Sequence, residues 1–233
     1  MFDGEIVFRG IPWGTSATEA LKQLPKPQFS TAKITVPYST NIQRLKNSKG
    51  KAPFFDKEKI YKHKGIGMIC EGFKPHEPLT IASHRVNSAY VYFASVPQNG
   101  KLTYKPEDTA MFSAVYCFEE TLRYGEANKM FKVGINVEQD ILSKFILIYG
   151  EPDTCSDVPY DGVSPEYHKA KFYTWKGQND TELVIFSIAS WSIVNVYAHY
   201  IWHKGDELLA IADKCTDVNS IEYKTKVLGA DGI

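Results

Sequence analysis

Two consecutive runs near the C-terminal end, 182–189 and 193–202, constrain the fold more than any other part of the sequence. Both alternate their side chains with the period of two that is typical of β-strands. The first run is apolar on both faces, which predicts a central strand that is covered on both sides. In the second run, one face carries Val194, Val196, Ala198, Tyr200 and Trp202, and the other carries Asn195, Tyr197 and His199.

Further runs of the same period predict strands over 88–93, 111–119 and 172–175. In the strand over 111–119 we place four side chains on one face: Phe112, Ala114, Tyr116 and Phe118. Turn residues at 97–100 and 176–180 follow two of these strands, and short turns of this kind join antiparallel neighbours. The acidic stretch 153–161 is interpreted as a solvated loop.

Three helices are predicted, at about 17–24, 137–149 and 206–214. The first begins with the capping box of Ser16 and Glu19, in which each residue satisfies a free backbone N–H group. The second has Asn136 as its predicted cap and ends where Gly150 and Pro152 prevent continuation. Its apolar residues recur at helical spacing and predict one buried stripe, formed by Val137, Ile141, Phe145 and Ile148.

The elements predict an α+β fold, an antiparallel sheet with helices mainly on one face, in a single compact unit over 1–233. The order of helix and then strands occurs twice, which indicates tandem halves 1–125 and 126–233. The irregular segment 26–80 is interpreted as an insertion into the first half, with a hairpin or two of its own.

The charges are balanced overall but not along the chain. The 233 residues include 27 basic and 27 acidic residues, whereas 22–85 alone holds 13 basic and 4 acidic ones. Either this segment lies against an acidic body, or it is solvated, or 26–80 binds nucleic acid through contacts such as Lys46, Lys49 and Lys51. Because the lysines are scattered and the net charge is zero, we expect no binding to generic DNA or RNA at physiological salt.

The sequence gives few indications of export or membrane insertion. No apolar run approaches the roughly 18 residues of a membrane span, and the first residues lack the basic start of a signal peptide. We therefore expect a cytoplasmic protein; a signal peptide that has already been removed is the open alternative. The four cysteines are widely spaced, and their pairing is left open.

Metal and catalytic motifs are weak. His199 and His203 are four residues apart on a predicted strand, which separates them by about 13 Å, too far to share one zinc ion. Phosphate-binding, dinucleotide-binding and nucleophile-elbow motifs do not occur in the sequence. We expect no metal, no cofactor and no enzymatic activity; a hydrolase or transferase whose site assembles from distant residues is the alternative.

Four polar and aromatic residues are the candidate partner-binding site: Tyr90, Tyr92, Tyr197 and His199. They lie on the strand faces opposite the stronger apolar stripes. A tyrosine combines apolar area with a hydroxyl, which suits it to binding a partner on an open sheet face. The alternative is that a helix or the segment 26–80 covers them. The expected partner is an unidentified protein or small ligand.

Three short motifs, FRGIPWGTS at 8–16, YGEPD at 149–153 and YTWKG at 173–177, resemble those of a group of uncharacterised bacterial domains. Those domains are similar in fold to the β-lactamase inhibitory protein, which has tandem helix-loop-strand units, and more distantly to an outer-membrane assembly lipoprotein. The resemblance covers 6–24 and 81–202, and 26–80 has no counterpart. It implies a binding scaffold without catalytic residues. We recognise neither a signal peptide nor a lipobox cysteine in the sequence, so we do not expect the exported role of those relatives.

Overall fold

The computed structural model describes residues 2–24, 30–34, 65–71, 79–81, 83–103, 105–121, 127–159, 169–190 and 193–217. Its α-helices are α1 (Ala17–Gln23), α2 (Ala127–Tyr149) and α3 (Lys204–Lys214). None of the helices in these ranges combines the length and the apolar character that crossing a bilayer requires.

The strands of the described ranges follow one another as β1 (Ser30–Ile34), β2 (Gly65–Glu71), β3 (Thr80–Ile81), β4 (His84–Ser95), β5 (Lys101–Leu102), β6 (Thr109–Thr121), β7 (Thr154–Pro159), β8 (Lys169–Lys176), β9 (Thr181–Ser190), β10 (Ile193–Trp202) and β11 (Thr216–Asp217). Eight of them form an antiparallel sheet in the order β1-β2-β4-β6-β10-β9-β8-β7, and β3 pairs with β4. The short β5 and β11 pair in parallel beside it. The predicted α+β class is confirmed.

The main sheet consists of two sets of strands, one from each part of the chain, that pair at its centre. Of the eight strands in this order, β1, β2, β4 and β6 follow α1, and β7, β8, β9 and β10 follow α2. The last strand of each set, β6 or β10, pairs with the other. This strand order is consistent with two halves, 1–125 and 126–233, within one unit, and that division stays a prediction. From the segment 26–80, β1 and β2 pair antiparallel with each other, and β2 also pairs with β4, so both strands belong to the main sheet. Lys46, Lys49 and Lys51 lie outside the described residues.

Each face of the sheet has its own core. Face A carries Ala89, Val91, Ala114, Ile185 and Ala198, and it packs against α1, α2 and the N-terminal segment. Face B carries Phe172, Val184, Phe186, Tyr197 and Ile201, and it packs against Leu209 of α3. The predicted burial of both faces of β9 is confirmed, since Leu183 and Val184 are both fully buried on opposite faces.

A β-bulge in β6 corrects one prediction. Tyr92 pairs with Ser113 and Phe93 with Met111, so Phe112 is an extra residue that shifts the alternation of its strand. Ala114, Tyr116 and Phe118 lie on face A as predicted, but Phe112 lies on face B, contrary to the prediction. There it packs against the backbone of Gly205, at the start of α3, so closely that a Cβ atom would come within 2.4 Å of the ring.

The structure confirms two of the predicted helix ends and corrects a third. Ser16 caps α1 by accepting from the Glu19 N–H at 3.3 Å, and Gly150 follows α2 with φ +77°. However, α2 begins at Ala127, so Asn136 and Val137 lie inside the helix and Asn136 is not its cap. Ile141 and Phe145 are buried as predicted. Ile148 is not, and Tyr149, half-buried, continues the stripe instead.

The acidic stretch after Gly150 is also corrected, because 154–159 forms β7 and pairs with β8 instead of forming a loop. Asp153, just before it, accepts from the Lys176 N–H at 2.7 Å. This bond holds the start of β7 against the end of β8.

Candidate functional site

The four residues predicted to bind a partner lie on β4 and β10, which flank β6 in the sheet, and two of them are buried. His199 lies opposite Val115, which in turn lies opposite Tyr90, and Tyr92 is half-buried on β4. Tyr197 stacks on Phe186 at a centroid distance of 4.9 Å, and Phe186 stacks on Phe172 at 5.1 Å. This stacked row lies inside the core of face B. Burial of Tyr197 and His199 is the arrangement expected when the face is covered.

His199 forms a polar pair inside face B. Its Nε2 atom lies 2.6 Å from the Oγ atom of Ser113, and the exposed fractions are 5% for His199 and 0% for Ser113. Burial, followed by the charge of His203, lowers the pKa of His199 to about 3. A catalytic base works best with a pKa near the operating pH. The neutral imidazole of His199 is therefore a weak base that suits a hydrogen bond between strands.

His203 lies one residue beyond β10 in a different environment. Its Nε2 atom is 2.7 Å from Oε2 of Glu182, and this hydrogen bond raises the pKa of His203. His199 and His203 thus each have their own partner, Ser113 for the first and Glu182 for the second. In the described ranges, no three His, Cys, Asp or Glu side chains group closely enough to hold a metal ion.

A second polar contact lies between α2 and β9. Glu138 accepts a hydrogen bond from the Ser187 hydroxyl, and Tyr173 also donates to its carboxylate. Burial raises the pKa of Glu138, while these hydrogen bonds and the nearby charge of Lys171 act in the opposite direction. The contact fixes the middle of α2 on face A.

A third group, on face A, contains side chains from four separate elements: Arg9 from the N-terminal segment, Tyr116 from β6, Tyr200 from β10 and Tyr149 from the last position of α2. We call it the Arg9–tyrosine cluster. The Arg9 guanidinium donates to the Tyr116 hydroxyl at 3.2 Å, and the Tyr200 and Tyr149 hydroxyls share a hydrogen bond. Sequence reasoning did not find this cluster.

The sheet register places the two deeper phenols. Tyr116 pairs with Ala198 and Tyr200 pairs with Ala114, so the tyrosines are diagonal neighbours on the central strands. Their ring centroids are 6.2 Å apart, and the Phe8 ring contacts both at 4.8 and 5.5 Å. The small side chains of the two alanines leave the space that the rings occupy.

Two anchors position the more exposed half of the cluster. Tyr149 packs edge-on against Phe2 at 5.0 Å, and the Trp175 indole donates to the Gly150 carbonyl at 2.8 Å, which fixes the end of α2. Arg9 lies in a tight turn closed by the Ile11 N–H and the Phe8 carbonyl. The chain on both sides of this turn is held to the sheet, at Ile6 by Thr181 and at Gly14 by Met111.

Burial raises the pKa of Tyr116, Tyr149 and Tyr200 above the ordinary value for a phenol. The three side chains are therefore neutral at physiological pH and keep their hydroxyl protons. Arg9 carries the formal charge of the cluster. The arrangement can donate several hydrogen bonds around one positive charge.

Part of this cluster had a signal in the sequence. Tyr116 and Tyr200 each stand in an apolar stripe, where a buried phenol needs a hydrogen-bond partner. The partner could not be read from the sequence, because Arg9 is 107 residues from Tyr116. Comparison with known proteins adds no assignment: the sequence matches no protein-family model and no curated protein.

Proposed function

We propose that this chain is a non-enzymatic binding protein that engages a protein partner where the Arg9 turn meets the end of α2. The observation that carries the proposal is the Arg9–tyrosine cluster, which extends from the core to solvent. Tyr200 and Tyr116 are buried, Tyr149 is half-buried and Arg9 is exposed. Arginine and tyrosine are among the residue types that contribute most to the free energy of protein–protein binding.

Two exposed apolar residues beside the cluster favour a protein as the partner. Leu147 and Ile148, on the turn of α2 that ends at Tyr149, are 79% and 64% exposed. Large apolar side chains at consecutive exposed positions gain free energy when a partner removes them from water. Both lie in the last turn of α2, as Tyr149 does, so the end of this helix offers exposed apolar side chains within one turn of the cluster.

The rival function is a hydrolase that uses Ser113 and His199, since their 2.6 Å contact resembles a nucleophile and its base. Two observations weigh against it. The Ser113 hydroxyl is buried, and a base whose pKa is about 3 has little affinity for the serine proton at neutral pH. The binding function accounts for the exposed groups on face A and leaves Ser113 a structural role.

The experiment is affinity capture from the lysate of the source cells with three forms of the full chain: wild type, the double variant Leu147→Asp/Ile148→Asp, and the control Ile211→Asp. Ile211 is also exposed, at 50%, but lies on α3, which packs on the other face. We expect a protein that wild type and the control both retain and the double variant loses. If the double variant still captures that protein, the interface lies elsewhere on the chain.

A further inference from the structure

The Arg9–tyrosine cluster has more hydrogen-bond donors than acceptors. Arginine only donates, so the Tyr116 oxygen accepts and its own O–H proton still needs an acceptor. In the pair of Tyr200 and Tyr149, one hydroxyl donates and the other accepts, so the accepting hydroxyl keeps a proton that needs an acceptor of its own. Within the described residues, no acceptor meets either proton.

These donors converge on one another. The Arg9 guanidinium lies 3.2 Å from the Tyr116 hydroxyl, and the rings of Tyr116 and Tyr200 lie 6.2 Å apart. The Tyr200 hydroxyl is in turn hydrogen-bonded to that of Tyr149. Apolar rings of Phe8 and Phe145 border the group, with Phe145 6.2 Å from Tyr149 and 6.5 Å from Tyr200. These apolar surroundings lower the local dielectric constant, which strengthens any hydrogen bond that forms there.

The backbone at Arg9 is unusual for its residue type. Arg9 has φ +54° and Gly10 has φ +73°, which is the signature of a type I′ turn. Asparagine, aspartate or glycine is the ordinary residue at the first of these positions. Arginine is kept there at a cost in backbone free energy, and such positions cluster at binding sites.

We propose that the Arg9–tyrosine cluster is a carboxylate-binding site, which receives an acidic side chain or the C-terminal carboxylate of the protein partner. Guanidinium and phenol donors around one oxyanion form charge-assisted hydrogen bonds, which are the strong ones. The proposal rests on the proposed function, because it names the group of the partner that the surface recognises.

The charge of the cluster selects a carboxylate over a phosphate. The cluster holds one formal positive charge, on Arg9, and three neutral phenols. A carboxylate carries one negative charge and leaves the partly buried site neutral. A phosphate group carries about 1.5 to 2 negative charges at pH 7, which leaves uncompensated charge among the rings of Phe8 and Phe145.

The test is a titration of the full chain with acetate, and separately with inorganic phosphate, at constant ionic strength held with chloride. Backbone amide shifts of Arg9, Gly10 and Gly150 report binding by NMR. We expect saturable shifts with acetate in the millimolar range and weaker binding of phosphate. Tighter binding of phosphate, or acetate shifts that do not saturate, would overturn the assignment.

Three variants make the titration specific. Arg9→Asn suits the positive φ, so it is expected to fold with a similar melting temperature and to bind acetate about tenfold to a hundredfold more weakly. Tyr149→Phe removes one donor, and we expect several-fold weaker binding. The matched control Arg85→Gln changes an exposed arginine on β4 and should bind like wild type. Equal affinity in Arg9→Asn and wild type would refute the site.

The two proposals fail in different ways. If acetate does not bind but partner capture is still lost in Leu147→Asp/Ile148→Asp, the carboxylate site is wrong and the binding function stands. If acetate binds through Arg9 but no protein is captured at this surface, the protein-binding function is wrong and the carboxylate site is retained for a free ligand.

Discussion

Face A and face B of the sheet both bury polar side chains, but they satisfy them in opposite ways. On face B, Ser113 and His199 hydrogen-bond to each other in the core. On face A, the buried phenols of Tyr116 and Tyr200 are hydrogen-bonded to Arg9 and Tyr149, which reach solvent. This group has more hydrogen-bond donors than acceptors. A buried pair whose members bond each other stabilises the fold, whereas a donor-rich group that reaches solvent is available to a ligand.

The largest expected effect tests whether α2 packs on face A through one narrow stripe of buried side chains. Phe145 is 3% exposed and contacts the rings of Tyr149 and Tyr200. Phe145→Ala should lower the free energy of unfolding by about 3–5 kcal/mol, because it removes a buried ring and leaves a cavity. Urea denaturation measures this loss.

The control for that measurement is Ile148→Ala on the same helix. Since Ile148 is exposed, we expect a change within about 0.5 kcal/mol. Similar losses in both variants would mean that the stripe includes Ile148 and that the exposed apolar surface beside the cluster does not exist.

The second effect concerns His199 on face B. Its pKa is about 3 in the folded chain and near 6.5 when unfolded. The unfolded chain therefore binds the proton first, so stability is fully present above pH 6.5 and falls as the pH drops toward 3. Between pH 8 and pH 4 this residue alone should remove about 3 kcal/mol.

The measurement is the urea midpoint of wild type and of His199→Gln at several pH values. Glutamine can still bond to Ser113 but does not titrate, so the acid dependence should be shallower in the variant. His203, whose pKa the hydrogen bond to Glu182 raises, has the opposite sign: its stabilisation is present below pH 6.5 and is lost as the pH rises through its folded pKa. If the urea midpoints of wild type and His199→Gln change in parallel with pH, His199 is not shielded from water in the folded chain.

The smallest pair of effects compares two glycines. Gly205→Ala should cost about 1–3 kcal/mol, because the new Cβ meets the Phe112 ring on face B. Gly150→Ala finds open space but has φ +77°, so backbone strain alone should cost about 1 kcal/mol. Thermal unfolding ranks the two; a larger loss at Gly150 would contradict the close contact of α3 with the bulge.

Features that depend on residues near one another in the chain were determined by the sequence. The period-two runs became β4, β6, β9 and β10, because alternation fixes which side chains share a face. As predicted, α1 begins after Ser16 and α2 ends before Gly150, since capping involves only the neighbouring turn of backbone. The antiparallel α+β class followed from these local features.

Other features were decided only by the tertiary structure. Gly134 and Asn136 disfavour a helix by about 1–2 kcal/mol in sum, and α2 runs through both, since cooperative hydrogen bonding and packing outweigh a local preference of that size. The bulge at Phe112 depends on the pairing of β6 with β4, which the sequence of either strand does not specify.

The candidate site illustrates the same limit most clearly. Tyr197 and His199 were placed on the correct face of β10, but the sequence could not tell that this face is buried. The Arg9–tyrosine cluster brings residues 9, 116, 149 and 200 together through sheet register and helix packing. Periodicity determines which way a side chain points along its own strand or helix, and only the packing of distant elements determines what it meets there.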